Sequence, residues 1–335
     1  MKNKYYKWGV IILFLLILLS LSILISFLYG EINLTISDFL DIIKNKQGIE
    51  YTIISNIRFP RILLGLSIGG TLSLAGVLLQ GVYRNPLVEP YTLGISGGAA
   101  LGVAITIVFG LNSFVGVYLL PISGFIGAGV TIFIVYFLAV NRKQFNINKM
   151  LLIGVMISFM ASSSMMFLMS ITTTENLNSI VFWIMGSLDE SDMFLIRTVF
   201  FASIAGLLIS YLFANQLNAL RLGVSKAKHL GVNTTFAIRV IFVTASLLTG
   251  ISVAVVGVIG FVGLIIPHMM RLIIGSDFRI LLITSFLGGG VFIILCDLIS
   301  RTIIAPNELP IGVITGMIGG LIFVIILSKS KFKIS

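Results

Sequence analysis

The chain has few charged residues and few of the side chains that bind metal ions. Only 10% of its 335 residues are charged, against about 25% in soluble domains. It contains one cysteine, Cys296, and two histidines, His229 and His268. A single cysteine excludes a disulfide framework, an iron–sulfur cluster and a thiolate zinc site, and two histidines argue against a histidine metal centre. We therefore expect the chain itself to bind no metal and no cofactor.

Hydrophobic residues make up 58% of the chain and form long apolar runs. The runs with little or no charge are 8–30, 62–83, 90–141, 150–174, 193–220, 240–270, 280–296 and 309–328. Because a membrane span needs about 20 apolar residues, each run can cross at least once, and 90–141 can cross twice with a break near Asn112 to Pro121. The net charge of +10 falls in short clusters between the runs, which is typical of cytoplasmic loops rather than of a nucleic-acid site.

The first apolar stretch, about 8–29, predicts a membrane helix that is retained. A secretory signal has an apolar core of about 7–15 residues followed by a cleavage site of small residues. This stretch is longer, and no such site precedes Glu31.

Run 240–270 is long for one span and short for two. The positions of the flanking basic residues distinguish a single crossing from a run that doubles back. If it crosses once, Arg271 and Arg279 lie on the opposite side from the basic residues that precede the run. If it doubles back, they lie in the cytoplasm with most of the 22 basic residues, as the positive-inside rule requires. We predict the second arrangement.

The expected architecture is an all-α integral membrane protein with about ten crossings and both termini in the cytoplasm. We expect one polytopic membrane domain over 1–335, with the last helix near 309–328. Glycines spaced four apart, such as Gly65 and Gly69 or Gly312 and Gly316, favour close packing of its helices.

Patterns typical of enzymes are weak or missing in the sequence. It contains no Gly-Lys dipeptide, so it lacks a Walker phosphate loop. Gly94-Ile95-Ser96-Gly97-Gly98 matches G-x-S-x-G, but it opens a membrane helix, whereas a nucleophile elbow needs a strand–turn–helix. Asp297 and His268 lie near span ends, which argues against an ion-coupled mechanism. We therefore expect a chain that is not an enzyme.

A polar segment interrupts the apolar runs between 83 and 91. Its candidate functional residues are Arg84, Asn85, Pro86, Glu89 and Pro90. Taken alone, they favour closure of a cytoplasmic loop by an internal salt bridge between Arg84 and Glu89. The segment also resembles the loop between the second and third helices of FecCD-type permeases, the membrane subunits of importers for iron-siderophores, haem and cobalamin.

Further motifs carry the same resemblance from about residue 58 to the end of the chain. They are Arg58-Phe59-Pro60-Arg61, the coupling loop at about 214–235, the glycine-rich segment 257–271 that ends in Pro267-His268-Met269-Met270-Arg271, and the start of the last helix at 308–315. The resemblance implies a bundle like that of the cobalamin-importer permease. From the residues alone, His268 and Arg271 are expected to cap a helix end near the cytoplasm.

The coupling loop, 214–235, has two possible interpretations. It can be a basic loop lying against anionic lipid, or a docking element with small apolar faces. The resemblance implies docking to an ATPase through Leu220, Leu222, Gly223, Ala227, Leu230 and Gly231. Because Val224 stands where the family often has an acidic residue, we expect that contact to depend on shape and apolar fit.

Three arginines, Arg58, Arg61 and Arg301, are expected at the outer ends of their spans. They can be interfacial residues or local ion-pair partners, for example Arg301 with Asp297 at four-residue spacing. The resemblance implies that they bind acidic residues of a substrate-binding protein, a role that suits the planar guanidinium fork.

The fifth span combines serines and methionines. Helix packing accounts for them, and the resemblance implies in addition that some line a transport pathway. The candidates are Ser158, Ser162, Met165 and Met169.

The function implied by the resemblance is that of the permease subunit of a binding-protein-dependent ABC importer in the cell membrane. Its expected partners are two ATPase subunits that bind the ATP, an extracytoplasmic binding protein, and a second permease chain, identical or similar. Ferric siderophore is the expected cargo, with cobalamin or haem as the alternatives. An ion-coupled secondary transporter and a membrane-embedded enzyme are the competing classes. Co-purification with an ATPase would separate the importer from the secondary transporter, and activity without any partner would support the enzyme.

Overall fold

The computed structural model describes residues 2–30, 32–111, 118–141, 144–145 and 147–329. Almost all regular structure in these ranges is helical. The α-helices are α1 (Lys2–Leu28), α2 (Ile36–Asn45), α3 (Ile49–Ile53), α4 (Phe59–Tyr83), α5 (Ile95–Val108), α6 (Leu119–Ala139), α7 (Ile147–Ile171), α8 (Thr174–Met185), α9 (Met193–Leu212), α10 (Ala214–Leu220), α11 (Val224–His229), α12 (Thr234–Val256), α13 (Val262–Ile274), α14 (Phe278–Thr302) and α15 (Ile311–Lys329).

Short elements join some of these helices. A π-helical turn, Ile54–Arg58, makes α3 and α4 continuous, and a 3-10 helix, Pro90–Leu93, precedes α5. Two two-residue strands, Val140–Asn141 and Gln144–Phe145, form an antiparallel pair.

Seven helices in the described residues are long and apolar enough to cross a membrane. They are α1, the continuous 49–83 helix, α6, α7, α9, α12 and α14. Three shorter apolar helices, α5, α13 and α15, complete the bundle. Counted together, they agree with the prediction of about ten membrane segments.

Run 240–270 folds as a full-length helix followed by a half-length one. α12 ends at Val256, and the chain breaks before α13 begins at Val262. Gly257 and Phe261 both have positive φ, +72° and +69°, and so interrupt the helical backbone. α13 then ends beside the end of α4, where the Arg271 guanidinium donates to Gln80 Oε1 at 3.0 Å. The predicted doubling back is confirmed.

The centre of the bundle is α4, which is almost entirely buried, with α14 and α12 packed against it. A Cβ atom on Gly69 would overlap the backbone of Gly289 on α14, so these two helices meet through bare backbone. By contrast Gly316 meets no described atom within 4 Å. The glycine spacing therefore predicts close packing correctly at Gly69 but not, within this chain, at Gly316.

Several boundaries differ from those predicted. Helix α1 extends back to Lys2, and run 193–220 is divided at Phe213 into α9 and α10. Three short helices, α2, α3 and α8, were not predicted at all. A signal for α2 was present, since Thr35 and Asp38 form a reciprocal capping box at its start. The basic carboxyl-terminal tail beyond 329 lies outside the described residues.

Candidate functional site

The outer end of the bundle carries a cluster of arginines and carboxylates around Arg61. The Arg61 guanidinium donates to Asp189 Oδ1 at 2.9 Å and to Glu308 Oε2 at 2.7 Å. It also lies 3.7 Å from Asp297 Oδ1. Since Asp189 precedes α9 and Glu308 precedes α15, one side chain of the central helix joins three separate parts of the chain.

The two other outer arginines are also held inside the protein. Arg301 pairs with Asp297 at 2.9 Å, which confirms the predicted ion pair, and donates to Ser26 Oγ on α1 at 2.8 Å. Arg58 donates to the backbone carbonyls of Phe27 and Ile32. Arg58 thereby fixes the chain that leaves α1.

The three arginines are buried, which limits their contact with a binding protein. Arg58, Arg61 and Arg301 are only 2%, 4% and 6% exposed. The side chains of Asp189 and Glu308 are 75% and 46% exposed, so these two carboxylates cover Arg61. The ion-pair interpretation is confirmed for Arg301. Docking of a binding protein by the arginines stays a prediction and requires that the covering carboxylates move or be replaced.

At the inner end, α10 and α11 form a short helix pair, which we call the coupling segment (residues 214–231). Gly223 and Gly231 have positive φ and end the turns that follow each helix. Leu220 and Ala227 are buried against the bundle, whereas Leu222 and Leu230 are 57% and 64% exposed. Among the residues predicted to contact an ATPase, these two leucines are therefore accessible to another protein.

Asp277 attaches the coupling segment to the rest of the bundle. Its carboxylate caps α14 and accepts hydrogen bonds from Asn218, Arg279 and Lys4. The hydrogen bonds from Arg279, followed by those from Lys4 and Asn218, hold the pKa of Asp277 well below its usual range. The ionised Asp277 therefore stabilises the folded protein at any pH above the unfolded-state pKa of about 4. This stabilisation is lost only as the pH falls through the lower pKa of Asp277 in the folded protein.

The polar segment after α4 does not form the expected internal salt bridge. Glu89 accepts a hydrogen bond from the Phe261 backbone N–H at 2.6 Å instead of pairing with Arg84. Tyr91 Oη donates to the Ile259 carbonyl at 2.8 Å and accepts from its N–H at 3.1 Å. The prediction was wrong because the chain after Arg84 folds back into the bundle, where the irregular backbone before α13 has unpaired polar groups to satisfy.

These contacts join two interrupted segments, and we call them the mid-bundle junction (89–91 with 257–261). Pro90 packs against Gly263, where a Cβ atom would lie 2.7 Å from the proline ring. The sequence showed each break separately but gave no sign that they touch. Asn85 remains outside the junction and its side chain closes a local turn by accepting from Leu87 N.

The four pathway candidates on α7 are half-buried. Ser158 lies against Gly97 of α5, and Met165 and Met169 pack on the small apolar cluster around Val103. They therefore contact α5, while the opposite, exposed face of α7 carries residues such as Met160. A pathway role for the four candidates stays a prediction.

A cavity of about 790 Å³ opens at the inner end, between the ends of α4 and α13 and the start of α14. His268 and Arg271 line it, together with Arg84 and Arg221. Arg271 lies in the last turn of α13, as expected, but neither side chain caps the helix, because the Arg271 guanidinium donates to Gln80 Oε1 and the His268 ring has no partner among the described residues. The arrangement of the cavity also places Arg84, Arg221 and Arg271 at one end of the bundle, as the topology predicted.

The bundle, with its membrane-length helices and an exposed helix pair at its basic end, is that of a multi-pass membrane protein. The FecCD transport family model matches residues 17–329, and the chain belongs to that family. The hemin transport system permease protein HmuU of Yersinia pestis is 35% identical over 320 residues, which cover 95% of each chain. The vitamin B12 import system permease protein BtuC of Salmonella paratyphi A is 32% identical and covers 98% of this chain and 97% of its own.

A solved structure supports the same assignment. An inward-facing conformation of a metal-chelate type ABC transporter has a TM-score of 0.84 and 32% identity, covering 96% of this chain and 100% of that one. The protein is therefore a transport subunit with an ABC-permease fold, located in the cell membrane. Permeases of this family generally work with an ATPase and a binding protein.

Proposed function

We propose that this permease imports a metal chelate, a ferric siderophore, by ATP-driven alternating access. It would act in a dimer of permease chains, identical or similar, with two ATPase subunits and an extracytoplasmic binding protein. ATP would bind to the ATPase subunits, and this chain would bind no cofactor. The observation that carries the proposal is the coupling segment, which exposes Leu222 and Leu230 while Asp277 holds it firmly to α14.

The contacts suggest how force would travel from the ATPase. Pressure on the coupling segment would reach α14 through Asn218 and Asp277, which are 3.1 Å apart. Helix α14 packs backbone to backbone on α4 at Gly69, so the two would move as one body. ATP can drive such a movement only if it binds one arrangement of the complex more tightly than the other.

At the outer face, a binding protein would offer carboxylates to Arg61 in exchange for Asp189 and Glu308. The double variant Asp189→Ala/Glu308→Ala leaves Asp297 as the partner of Arg61 and removes the two side chains that cover its guanidinium. If Arg61 is the docking residue, the double variant should bind the binding protein more tightly in a pull-down titration at low salt. Weaker binding would instead make the exposed carboxylates the contact and remove Arg61 from the docking site.

The cargo is tested by uptake into vesicles that carry the chain with its candidate ATPase and binding protein. Labelled ferric siderophore, haem and cobalamin would be offered separately with ATP. We expect uptake of the siderophore to exceed that of the other two. Haem and cobalamin are the alternatives because relatives are named for hemin and vitamin B12, and preference for either would replace the siderophore assignment while keeping the importer.

A further inference from the structure

The inner cavity is lined by positive charge without any carboxylate. Arg84, Arg221 and Arg271 contribute three guanidinium groups to a space of about 790 Å³. Asp277, between the lining residues Ser276 and Phe278, is not itself part of the lining and already binds Arg279, Lys4 and Asn218. Three like charges around one opening repel each other, so an anion between them would be stabilising.

Hydrogen-bond donors in the cavity outnumber the acceptors that the chain supplies. Arg271 donates to Gln80 and Arg221 to the Ser276 carbonyl. Arg84 makes no hydrogen bond or ion pair with another described residue.

Two buried groups in the same lining are unsatisfied. Neither ring nitrogen of His268, a residue only 9% exposed, has a partner in the described part of the chain, and the Tyr83 hydroxyl is likewise unpaired. These three atoms have almost no surface open to the cavity, so they give no information about a ligand, and the three arginines carry the inference. A ligand rich in acceptor oxygens would pair with the guanidinium groups of Arg84, Arg221 and Arg271.

The surroundings of the cavity favour a lipid over a soluble anion. Leu272 lines the cavity and is 64% exposed, and the neighbouring Ile273 is 59% exposed on the last turn of α13. Apolar surface thus continues from the basic cavity along a membrane segment. A space of this size also holds more than one ion and is within the range of sites for small organic molecules.

We propose that this cavity binds the phosphate headgroup of an anionic phospholipid of the inner leaflet, with its acyl chains along Leu272 and Ile273. Basic pockets between membrane helices on the cytoplasmic side are suited to such headgroups. Arg84 also lies beside Gly223, whose added Cβ would be 3.5 Å from its guanidinium. The bound lipid therefore sits next to the coupling segment and orders the arginines that flank it.

Native mass spectrometry of the purified full-length chain tests the proposal without any ATPase, so its outcome is independent of the transport function. Phosphatidylglycerol and phosphatidylcholine with identical acyl chains would be titrated in parallel. We expect preferential binding of phosphatidylglycerol. The variant Arg84→Gln/Arg221→Gln should lower that affinity by about 25- to 30-fold, since each basic residue near an anionic lipid contributes about fivefold to the affinity.

Arg239→Gln is the matched control, because Arg239 is exposed on α12 and lies outside the cavity. It should bind phosphatidylglycerol as the unmodified chain does. Arg84→Lys/Arg221→Lys keeps both charges and should retain the preference. Loss of binding in the lysine variant to the same extent as in the glutamine variant would indicate side-chain packing rather than charge and would overturn the proposal.

Three other results would also overturn it. Equal binding of the two lipids would show that the headgroup charge is not recognised. Displacement of phosphatidylglycerol by inorganic phosphate at a matching concentration would make the ligand a soluble anion. In the assembled complex, displacement of the lipid by the ATPase would assign the cavity to a carboxylate of that partner instead.

Discussion

Asp297 is the residue on which the outer cluster depends. Its side chain is 5% exposed and lies between Arg61 and Arg301, so it compensates two buried charges. The pairing of Arg301 with Asp297 could be predicted because four residues separate them on one helix. The partners of Arg61 could not, since Asp189 and Glu308 are distant in sequence and meet it only after three elements have packed.

Asp297→Asn should therefore destabilise the protein strongly, by about 3 kcal/mol or more, because it leaves two buried guanidinium groups without full compensation. Thermal unfolding in detergent, followed by size-exclusion fluorescence, measures this effect. Asp189→Asn is the control, with a cost of at most about 1 kcal/mol because its carboxylate is largely exposed. Equal losses in the two variants would contradict the proposed role of Asp297.

Among the elements, the broken segments before α5 and α13 are the least regular and the most closely joined. The sequence indicated each break, through prolines in one and glycines in the other. It did not indicate their contact, because a hydrogen bond between a side chain and backbone 168 residues away leaves no periodic signal.

Tyr91→Phe removes both hydrogen bonds to Ile259 and leaves its N–H and C=O unpaired inside the bundle. We expect a loss of about 1–3 kcal/mol in unfolding free energy, measured by the same thermal assay. Tyr118→Phe removes a hydrogen bond to Asp192 at an exposed site and should have little effect. If Tyr91→Phe were as mild as this control, the junction would contribute nothing to stability.

The crossing of α4 and α14 makes a second prediction for the elements. Gly69→Ala would force a methyl group into the backbone of Gly289, and overpacking of this kind costs about 1–3 kcal/mol or more. Gly316→Ala meets no described atom and should be neutral or slightly stabilising in the isolated chain. The yield of monodisperse protein after purification compares the two variants. A yield of Gly69→Ala equal to that of the unmodified chain would disprove the close crossing of α4 and α14.

For the whole molecule, charge distribution predicted the topology better than helix lengths did. Run 240–270 was correctly divided because only a doubling back kept its flanking arginines on one side. Lengths alone were misleading, since α5 and α13 are too short to be counted as full spans. Short helices between the spans were missed because they are only partly apolar and too brief for a hydropathy window.

Cysteine labelling tests this topology directly, because the native Cys296 is buried and should not react. A membrane-impermeant maleimide should label Asp189→Cys from outside the cell membrane. It should label Ser225→Cys, in the coupling segment, only after the membrane has been permeabilised. Labelling of both from the same side would invalidate the assignment of the two ends.

The central claim is that an ATPase drives this permease through the coupling segment. The most direct measurement is cargo uptake into proteoliposomes containing the chain, its ATPase and its binding protein, with Leu222→Ser/Leu230→Ser compared against Ser225→Ala. We predict uptake that requires ATP, survives Ser225→Ala and falls at least about tenfold in the leucine variant, because loss of two exposed apolar anchors removes more than about 1.4 kcal/mol of docking energy. Uptake driven by an ion gradient without the ATPase, or unchanged in the leucine variant, would contradict the account.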